Sequence, residues 1–489
     1  MKFLDRQQKD QIGFSFIMDK LGIITSYGLE EKKKIRPFKA SEINKLTHEL
    51  NSIENIIKFK EAHIEEYIGI GRIFCMLKDI RNSIKRCSEF EILDEVELYE
   101  IKYFSILIME LKNILDKLHL NIEEVYLTSL DEIISLLDPQ ENGISTFYVY
   151  DEYSKILKYT RQKKKQKEKE IFTAKNDGRI SELRNQRLDL VIEEEEEELR
   201  IRKDLTLQIS KKTELLNRNI KAIGRLDFLI AKANLAIAYN GSRPKISEKM
   251  KIHIDEAFNP EIKEILKKNN RVFIPVSIDL NAGTTIITGA NMGGKSVALK
   301  TIVLNLLLGQ MGFFVFAESA QFPILNFIHF VSDDMQSISK GLSTFGAEII
   351  KLKEVVECVK RENGFIALDE FARGTNPKEG HYLVKALSKY LNKFQSLSLI
   401  STHYDGVALE NMEHYQVIGL KNVDLNALKY NIEENKTKYV EKIQDHMEYK
   451  LEKVSKENKV PKDALNIAIL LGLEKEIVDI AKSFYNGEE

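Results

Sequence analysis

The sequence predicts a multidomain protein that is α-helical in its first half and α/β in its second half. Apolar residues recur every three or four positions through the first 240 residues. Gly and Pro are scarce, at 24 and 8 of 489 residues, which is typical of long helices with few loops. Beyond residue 240, short apolar runs alternate with helical stretches. We therefore expect a helical core at 1–150, a long antiparallel helical arm at 151–240 and an α/β domain at 241–489.

Composition excludes several classes of protein. Lys and Arg number 73 against 75 Asp and Glu, so net charge gives no general reason to bind nucleic acid, although a local patch could do so. The three cysteines form no CxxC pair, so we expect neither a disulfide framework nor a zinc site. The first residues lack the apolar core of a signal peptide, and no apolar run reaches the ~18 residues that cross a membrane. These features favour a cytoplasmic protein.

The arm is predicted from a charged stretch that is nearly free of helix breakers, from residue 151 to about 238. Its one turn signal is Asn176-Asp177-Gly178, where we expect two helices to fold back on each other. The second limb, roughly 60 residues, would reach ~90 Å at ~1.5 Å per residue.

Two charge runs lie on opposite limbs of this arm. Residues 161–169 read RQKKKQKEK, and residues 193–198 are six consecutive Glu. Because they lie at similar distances from the turn, we expect them to face each other and pair as a solvated surface. The alternative is a docking surface for a charged partner.

A composition change at residues 239–244, YNGSRP, suggests a linker into the α/β domain. Apolar runs at 284–288, 365–368 and 397–401 then alternate with helical stretches. Strands that alternate with helices predict a mostly parallel sheet.

Residues 289–296, GANMGGKS, match the phosphate-binding pattern GxxxxGK[ST] in full. A predicted strand precedes the motif and an apolar helix at 295–308 follows it, which argues against a chance match. Glycines let backbone N–H groups face phosphates, and the helix N-terminus adds positive potential. We expect Lys295 to pair with the β- and γ-phosphates of ATP and Ser296 to bind Mg²⁺.

Two further strand ends carry candidate catalytic groups. Asp369 and Glu370 end the run at 365–368, where Asp369 could hold the Mg²⁺ shell and Glu370 could polarise the attacking water. His403 follows the run at 397–401 and could contact the γ-phosphate or position water. Its alternative is a structural hydrogen bond. No pattern typical of a zinc, Ser-His-Asp or Cys-His site is found.

These motifs resemble those of the MutS ATPases, in the same order and spacing. The similar segments are 288–296 (TGANMGGKS), 332–334 (SDD), 341–348 (GLSTFGAE), 368–375 (LDEFARGT) and 401–404 (STHY), with weaker likeness at 12–21 and 466–473. The resemblance implies a helical core, a lever arm and a P-loop ATPase domain that binds ATP and Mg²⁺.

The resemblance also implies residue roles. Glu370 and His403 would be catalytic, and Ser296 and Asp369 would be metal ligands. Phe273 falls where an aromatic side chain stacks on adenine, although a core Phe is an equal alternative. Further nucleotide-binding positions are Gly289, Asn291, Met292, Gly293, Gly294, Lys295, Ser296 and Val297.

Ser343 and Thr344 fall where the family reaches into the nucleotide of a neighbouring subunit. This position implies a homodimer, or a heterodimer with a related subunit. Two departures from the family are visible: Ala290 replaces the usual Pro and Val297 replaces the usual Thr. Neither removes a phosphate ligand, so we expect the ATPase to be competent.

Two functions fit this resemblance. The chain begins directly in the helical core, and the mismatch-reading and nuclease-like domains of relatives are not evident. The first hypothesis is therefore the ATPase subunit of a lysine 5,6-aminomutase reactivase, which exchanges damaged cobalamin in an adenosylcobalamin-dependent enzyme. Charge cancellation on the arm, and hence weak DNA binding, agrees with it. The alternative is a DNA clamp without mismatch reading, supported by the basic run at 161–169.

Overall fold

The computed structural model describes residues 3–118, 122–140, 147–289, 294–332, 344–419, 447–454, 463–470 and 472–487. By their contacts, the residues form two units. The sheet unit comprises Met1–Gly22, Arg36–Glu54 and Lys232–Glu489, and the helical unit comprises Ile23–Ile35 and Asn55–Ala231. Parts of the segment expected as helical core thus lie in the same unit as the α/β segment.

The bounds of the regular elements follow the chain. The α-helices are α1 Arg6–Gln11, α2 Phe14–Lys20, α3 Ser26–Lys33, α4 Ile43–Ala62, α5 Ile64–Met76, α6 Arg81–Ser88, α7 Glu95–Leu118, α8 Asp131–Leu137, α9 Lys155–Thr173, α10 Asp177–Ser210, α11 Thr213–Ala238, α12 Pro260–Lys268, α13 Lys295–Gln310, α14 Thr344–Val359, α15 Pro377–Leu391, α16 Asp463–Leu470 and α17 Lys475–Gly487. The strands are β1 Lys245–Ser247, β2 Lys251–Ala257, β3 Val276–Asn281, β4 Gly283–Thr288, β5 Ser319–Pro323, β6 Ile328–Ser332, β7 Phe365–Asp369, β8 Leu397–Ser401, β9 Glu413–Gly419 and β10 Glu448–Lys453.

The helical unit confirms the helical character predicted for its sequence, since the described residues before Lys245 contain no strand. Within this unit, α7 buries apolar side chains at helical spacing, including Ile101, Phe104 and Ile108. None of the described helices is long and apolar enough to cross a membrane.

Helices α9 and α10 form an antiparallel hairpin at the predicted turn. The Asn176 side chain caps α10 by accepting hydrogen bonds from the N–H groups of Gly178 and Arg179. The prediction of an uninterrupted second limb is wrong, because α10 ends at Ser210 and α11 begins at Thr213. The Thr213 hydroxyl donates to the Ser210 carbonyl at 3.0 Å, a local bond that competes with helix continuation. The 34 residues of α10 span ~51 Å.

The charge runs of the hairpin pair only in part. The Arg161 guanidinium lies 3.0 Å from Glu194 Oε1 and 2.6 Å from Glu198 Oε1, and it also contacts Asp151 at 2.6 Å. Lys164 pairs with Glu194 as well. The expected pairing is therefore present at the start of the basic run. Lys165 and Lys169, later in the run, form no ion pair with the described residues.

The sheet unit contains a six-stranded sheet of order β10-β9-β4-β8-β7-β6. All neighbouring pairs are parallel except β10 with β9, which confirms the prediction of a mostly parallel sheet. Strands β4, β7 and β8 are buried at every residue, as expected for a sheet covered on both faces. A second sheet has the order β1-β5-β2-β3.

The N-terminal helix α1 contacts β6, the strand at one edge of the six-stranded sheet. The Gln8 side chain is 3% exposed, and its Nε2 donates to the carbonyl oxygen of Phe330 at 2.5 Å. Asp5, at the start of the same helix, forms a 2.9 Å ion pair with Lys351 of α14. Helix α1 thus provides a side-chain partner for one carbonyl of this edge strand.

A buried ion pair holds the C-terminal end of α13. Lys232 and Glu49, whose side chains are 2% and 3% exposed, lie 2.7 Å apart. Lys232 Nζ also donates to the carbonyls of Met311 and Gly312, at 3.2 and 3.1 Å. A cation at this position satisfies carbonyl groups that a helix end leaves without partners.

Candidate functional site

Two glycines of the phosphate-binding motif, Gly289 and Gly294, have backbone conformations that favour glycine. Gly289 has φ of 140° and Gly294 has φ of 86°, conformations that residues with a side chain rarely adopt. A Cβ atom at Gly289 would lie 3.1 Å from the Val417 side chain, and one at Gly294 would lie 3.0 Å from the Tyr449 ring. Gly294 also precedes the first turn of α13 without a side-chain cap, which suits the binding of an anion at the helix N–H groups.

The central part of the motif, residues 290–293, lies outside the described residues. The ligand roles expected of Asn291, Met292 and Gly293 therefore stay predictions.

Lys295 is buried at the start of α13. Its Nζ donates to the carbonyl of Gly289 at 2.7 Å and lies 3.3 Å from Glu370 Oε1. Burial lowers the pKa of Lys295, and the charge of Glu370 opposes that effect. The structure thus brings the predicted phosphate-binding lysine and the predicted catalytic carboxylate into direct contact.

Asp369, at the end of β7, lies among hydroxyl groups. Ser401 Oγ donates to Asp369 Oδ1 at 2.6 Å, and Ser296 also makes a side-chain hydrogen bond to Asp369. Burial raises the pKa of Asp369, and these two hydrogen bonds act in the opposite direction. The register of the sheet explains the meeting, because Asp369 of β7 lies opposite Ser401 of β8.

These oxygen donors fit Mg²⁺. The ion prefers few protein oxygens, with phosphate and water oxygens completing its shell, and Ser296 with Asp369 supplies such a pair. Within the part of the chain that is described, no group of three or more His, Cys, Asp or Glu side chains could enclose a metal alone. The donor set therefore suits a metal bound together with a nucleotide.

Glu370 adopts a left-handed backbone conformation, with φ of 50°. Its N–H lies 3.2 Å from both the carbonyl oxygen and the hydroxyl oxygen of Ser401. Its carboxylate contacts Lys295 through Oε1 and the Arg373 guanidinium through Oε2, the latter at 2.6 Å. Arg373 was not singled out by the motif, although its place three residues after Glu370 is a usable signal.

The turn after β7 is supported by a buried carboxylate to which the sequence analysis assigned no role, although it ends the segment 341–348. Glu348 of α14 is 3% exposed, and its Oε2 accepts a hydrogen bond from the N–H of Ala372 at 3.0 Å. Ala372 also has positive φ, 63°. Glu348 thus stabilises a backbone conformation that is costly for residues other than glycine.

His403 is exposed and lies after β8. The N–H of the preceding residue, Thr402, donates to the carbonyl of Ile287 in β4 at 2.9 Å. This bond places His403 beside the end of β4, the strand that leads into the phosphate-binding motif. Partial burial lowers the pKa of His403, Lys295 and Arg373 act the same way, and Glu370 opposes them. Among the described residues the ring has no hydrogen-bond partner, so the structural alternative gains no support there.

A cavity of about 550 Å³ adjoins these groups. Phe273, 7% exposed, lines it together with Val297, and so do Met447 and Tyr449, which the sequence did not identify. The remaining lining residues are mostly apolar: Ile262, Leu266, Asn270, Arg271, Val272, Ile274, Val276, Gly294, Lys295, Ser296, Ala298 and Glu370. An apolar cavity that also exposes a lysine and a hydroxyl is suited to a planar base carrying phosphates.

The positions expected to act across a subunit interface are not placed by the structure. Ser343 lies outside the described residues. Thr344 is the first residue of α14, and its side chain also lies outside them. The predicted dimer contact stays a prediction.

Comparison with known proteins agrees with this geometry. Residues 285–485 match the family model described as MutS domain V. Similar proteins include the endonuclease MutS2 of Caldanaerobacter subterraneus subsp. tengcongensis, which is 26% identical over 91% of this chain and 60% of that protein. The chain is thus similar to MutS proteins, and the family match lies in the segment that carries the phosphate-binding motif, Asp369 and His403.

Other MutS2 relatives align over shorter stretches. The endonuclease MutS2 of Carboxydothermus hydrogenoformans is 30% identical over 62% of this chain and 36% of its own length. That of Caldicellulosiruptor bescii is 35% identical over 46% of this chain and 28% of its own length. The chain thus spans less than two thirds of each of these MutS-family relatives.

Proposed function

We propose that this MutS-type chain binds ATP with Mg²⁺, hydrolyses it to ADP and phosphate, and uses that cycle to control binding to DNA. One observation carries the ATPase proposal. Lys295, Ser296, Asp369 and Glu370, chosen from separate motifs, converge within hydrogen-bonding distance beside one cavity. Such convergence at the carboxyl ends of parallel strands is where nucleotide sites form in open α/β sheets.

The proposed roles follow from the contacts. Lys295 pairs with the β- and γ-phosphates, and Ser296 and Asp369 hold the metal. Glu370 accepts a proton from water while the water oxygen bonds to the γ-phosphorus and the bond to the β–γ bridging oxygen breaks. His403, whose ring interacts electrostatically with Glu370 and Lys295, acts on the same water or phosphate, and Phe273 or Tyr449 stacks on the base.

We propose DNA as the partner because the names of the relatives and the charge of the hairpin both favour the DNA-clamp alternative over the reactivase hypothesis. The aligned proteins carry the name endonuclease MutS2, which denotes an enzyme that acts on nucleic acid. In the hairpin, residues 163–187 hold nine Lys and Arg against four Asp and Glu. The exposed Lys165, Lys169 and Lys175 make no ion pair within the described residues, so the expected cancellation of the charge runs is incomplete.

The aminomutase-reactivase hypothesis ranks below DNA binding. One of its arguments is that the two charge runs on the arm cancel. Among the described residues, Arg161 and Lys164 form the ion pairs between the two runs, and Glu168 of the basic run pairs with Arg187. No contact in the described residues favours a cobalamin enzyme as the partner, and the three relatives described above are named for an endonuclease.

The test combines turnover with DNA binding in the purified chain. We expect Mg²⁺-dependent release of phosphate from ATP, and affinity for duplex or branched DNA that falls steeply between ~50 and ~200 mM salt and differs between ATP and ADP. Absence of Mg²⁺-dependent hydrolysis contradicts the ATPase proposal. Active hydrolysis without DNA affinity, but with stimulation by an adenosylcobalamin-dependent aminomutase, would restore the reactivase hypothesis.

A further inference from the structure

The two oxygens of the Glu370 carboxylate have different partners. Oε1 lies 3.3 Å from Lys295 Nζ, on the buried side where phosphate is proposed to bind. Oε2 lies 2.6 Å from Arg373 Nη1, and the Arg373 side chain is 48% exposed. Within the described residues the carboxylate has no other polar partner, so these two cations fix its orientation.

A general base of this kind depends on geometry. Its contribution requires the accepting oxygen to lie within hydrogen-bonding distance of the reacting water. A Glu side chain has three rotatable bonds, and the backbone bonds to Ser401 hold only the N–H of Glu370. The orientation of the carboxylate therefore needs a contact at its far end.

Arg373 is itself held for this contact. The N–H of Arg373 donates to the carbonyl of Glu370 at 3.2 Å, which closes the turn between them. The buried Glu348 fixes the intervening Ala372 from α14. Because the guanidinium is planar and permanently charged, it restrains a carboxylate oxygen more tightly than an ammonium group does.

We propose that Arg373 is a positioning residue for Glu370, which holds Oε2 so that Oε1 faces Lys295 and the reacting water. This inference rests on the proposed ATPase function. Among the described residues Arg373 does not line the cavity, so the proposal has it act through Glu370 and predicts little effect on nucleotide affinity.

The proposal predicts a split between catalysis and binding. We expect Arg373→Ala to lower kcat for ATP by ~10- to ~100-fold, because misplacement of a reacting group by about 1 Å has effects of that order. The Kd for ATP should stay within about twofold of the unsubstituted protein. Arg373→Lys should recover part of the activity, since an ammonium group can reach Oε2 without the planar fork.

A double substitution tests whether the effect passes through Glu370. In single-turnover assays, Arg373→Ala should cause no further decrease when added to Glu370→Gln, because the group that it positions is already disabled. Arg361→Ala is the matched control, since Arg361 is exposed and pairs with Glu357 one helical turn away. It should leave both kcat and Kd unchanged.

Several outcomes overturn the proposal. These are an unchanged kcat in Arg373→Ala, weaker ATP binding with unchanged kcat, or an equal decrease in the Glu370→Gln background. If Arg373→Ala does not fold in thermal unfolding assays, the comparison of kcat and Kd is made on Arg373→Gln, which keeps most of the side-chain volume without the charge, and an unchanged kcat in that variant overturns the proposal equally. Lack of hydrolysis by the unsubstituted protein would instead refute the proposed function, so the two failures are distinguishable.

Discussion

Lys295 is the residue on which the candidate site depends most directly. Its ammonium group contacts both the Gly289 carbonyl and Glu370. We expect Lys295→Ala to lower hydrolysis by ~100-fold or more and to weaken ATP binding, because the charge on the β- and γ-phosphates is removed. Phosphate release and equilibrium binding of a fluorescent ATP analogue measure the two effects. The exposed Lys360 provides the control, and turnover in Lys295→Ala equal to that of Lys360→Ala would refute the assignment.

Glu370 is expected to behave differently from Lys295. In Glu370→Ala the proposed metal oxygens of Ser296 and Asp369 are intact, so ATP should still bind while hydrolysis stalls. The variant should therefore accumulate with ATP bound after gel filtration, as detected by nucleotide extraction. Failure to retain ATP would contradict the role assigned to Glu370.

At the residue scale, motif spacing predicted which side chains lie close together, and the roles of these side chains stay predictions. Lys295, Ser296, Asp369 and Glu370 follow from motif spacing, since each stands at a strand end or helix start. Tyr449 could not be found in this way. Its place beside Gly294 depends on the pairing of β10 with β9, whose connecting residues carry no turn signal that sets the register.

At the scale of elements, the buried pair of Lys232 and Glu49 offers a test of how α13 is anchored. We expect Lys232→Met to destabilise the sheet unit by ~3–5 kcal/mol, because it leaves the Glu49 charge buried without its cation. Denaturant unfolding measures this change. Lys232→Met combined with Glu49→Leu should recover much of the stability, and a double variant no more stable than Lys232→Met would contradict the explanation.

The ion pairs within the α9–α10 hairpin predict a dependence on pH. Burial raises the pKa of Glu194, but Lys164 and Arg161 outweigh it and hold that pKa below its ordinary value of 4.5. A carboxylate with a lowered pKa stabilises the folded hairpin above that ordinary value, and the stabilisation disappears as pH falls below it. Hydrogen exchange at residues 190–200, corrected for intrinsic rates, should rise as pH falls below 4.5. Arg161→Ala should show the faster exchange already at neutral pH, and equal protection in both proteins would refute this.

In the arm, sequence patterns predicted the presence of helices better than the residues at which the helices end. The hairpin turn was found because Asn176 caps α10 through its own side chain, which is a local effect. The break between α10 and α11 was missed. It involves Ser and Thr hydroxyls that bond to nearby carbonyls, and such residues also occur within helices, so they give no reliable stop signal.

At the scale of the whole molecule, changing the charge of the hairpin tests whether the partner is DNA or a protein. We expect a triple variant, Lys165→Gln, Lys169→Gln and Lys175→Gln, to bind DNA more weakly. The slope of log affinity against log salt should flatten by about 0.9 for each phosphate group that the variant no longer neutralises. Hydrolysis without DNA should be unchanged.

The matched control for this triple variant replaces three exposed lysines of the sheet unit, Lys360, Lys389 and Lys393, with Gln. DNA affinity that falls equally in both variants would show that the effect is general charge. An unchanged slope in the hairpin variant would remove the hairpin from the DNA-binding surface.

Domain boundaries were the least predictable feature. Periodicity shows that a helix is buried on one face, but it does not show which element covers that face. The N–H of Phe38 donates to the carbonyl of Gln310 at 2.9 Å, and Gln8 bonds to Phe330. Contacts like these, between residues about 270 to 320 positions apart, place Met1–Gly22 and Arg36–Glu54 in the sheet unit. No local sequence signal predicts that assignment.

The contact between α1 and β6 has a consequence for synthesis of the chain. Gln8 and Phe330 are 322 positions apart, so at roughly 5–20 residues per second the ribosome needs about 16 to 64 s to deliver the partner of a helix that it made first. During that interval most of the helical unit, Asn55–Ala231, is completed as one continuous stretch. The ribosome therefore completes most of the helical unit before the contact between α1 and β6 can form.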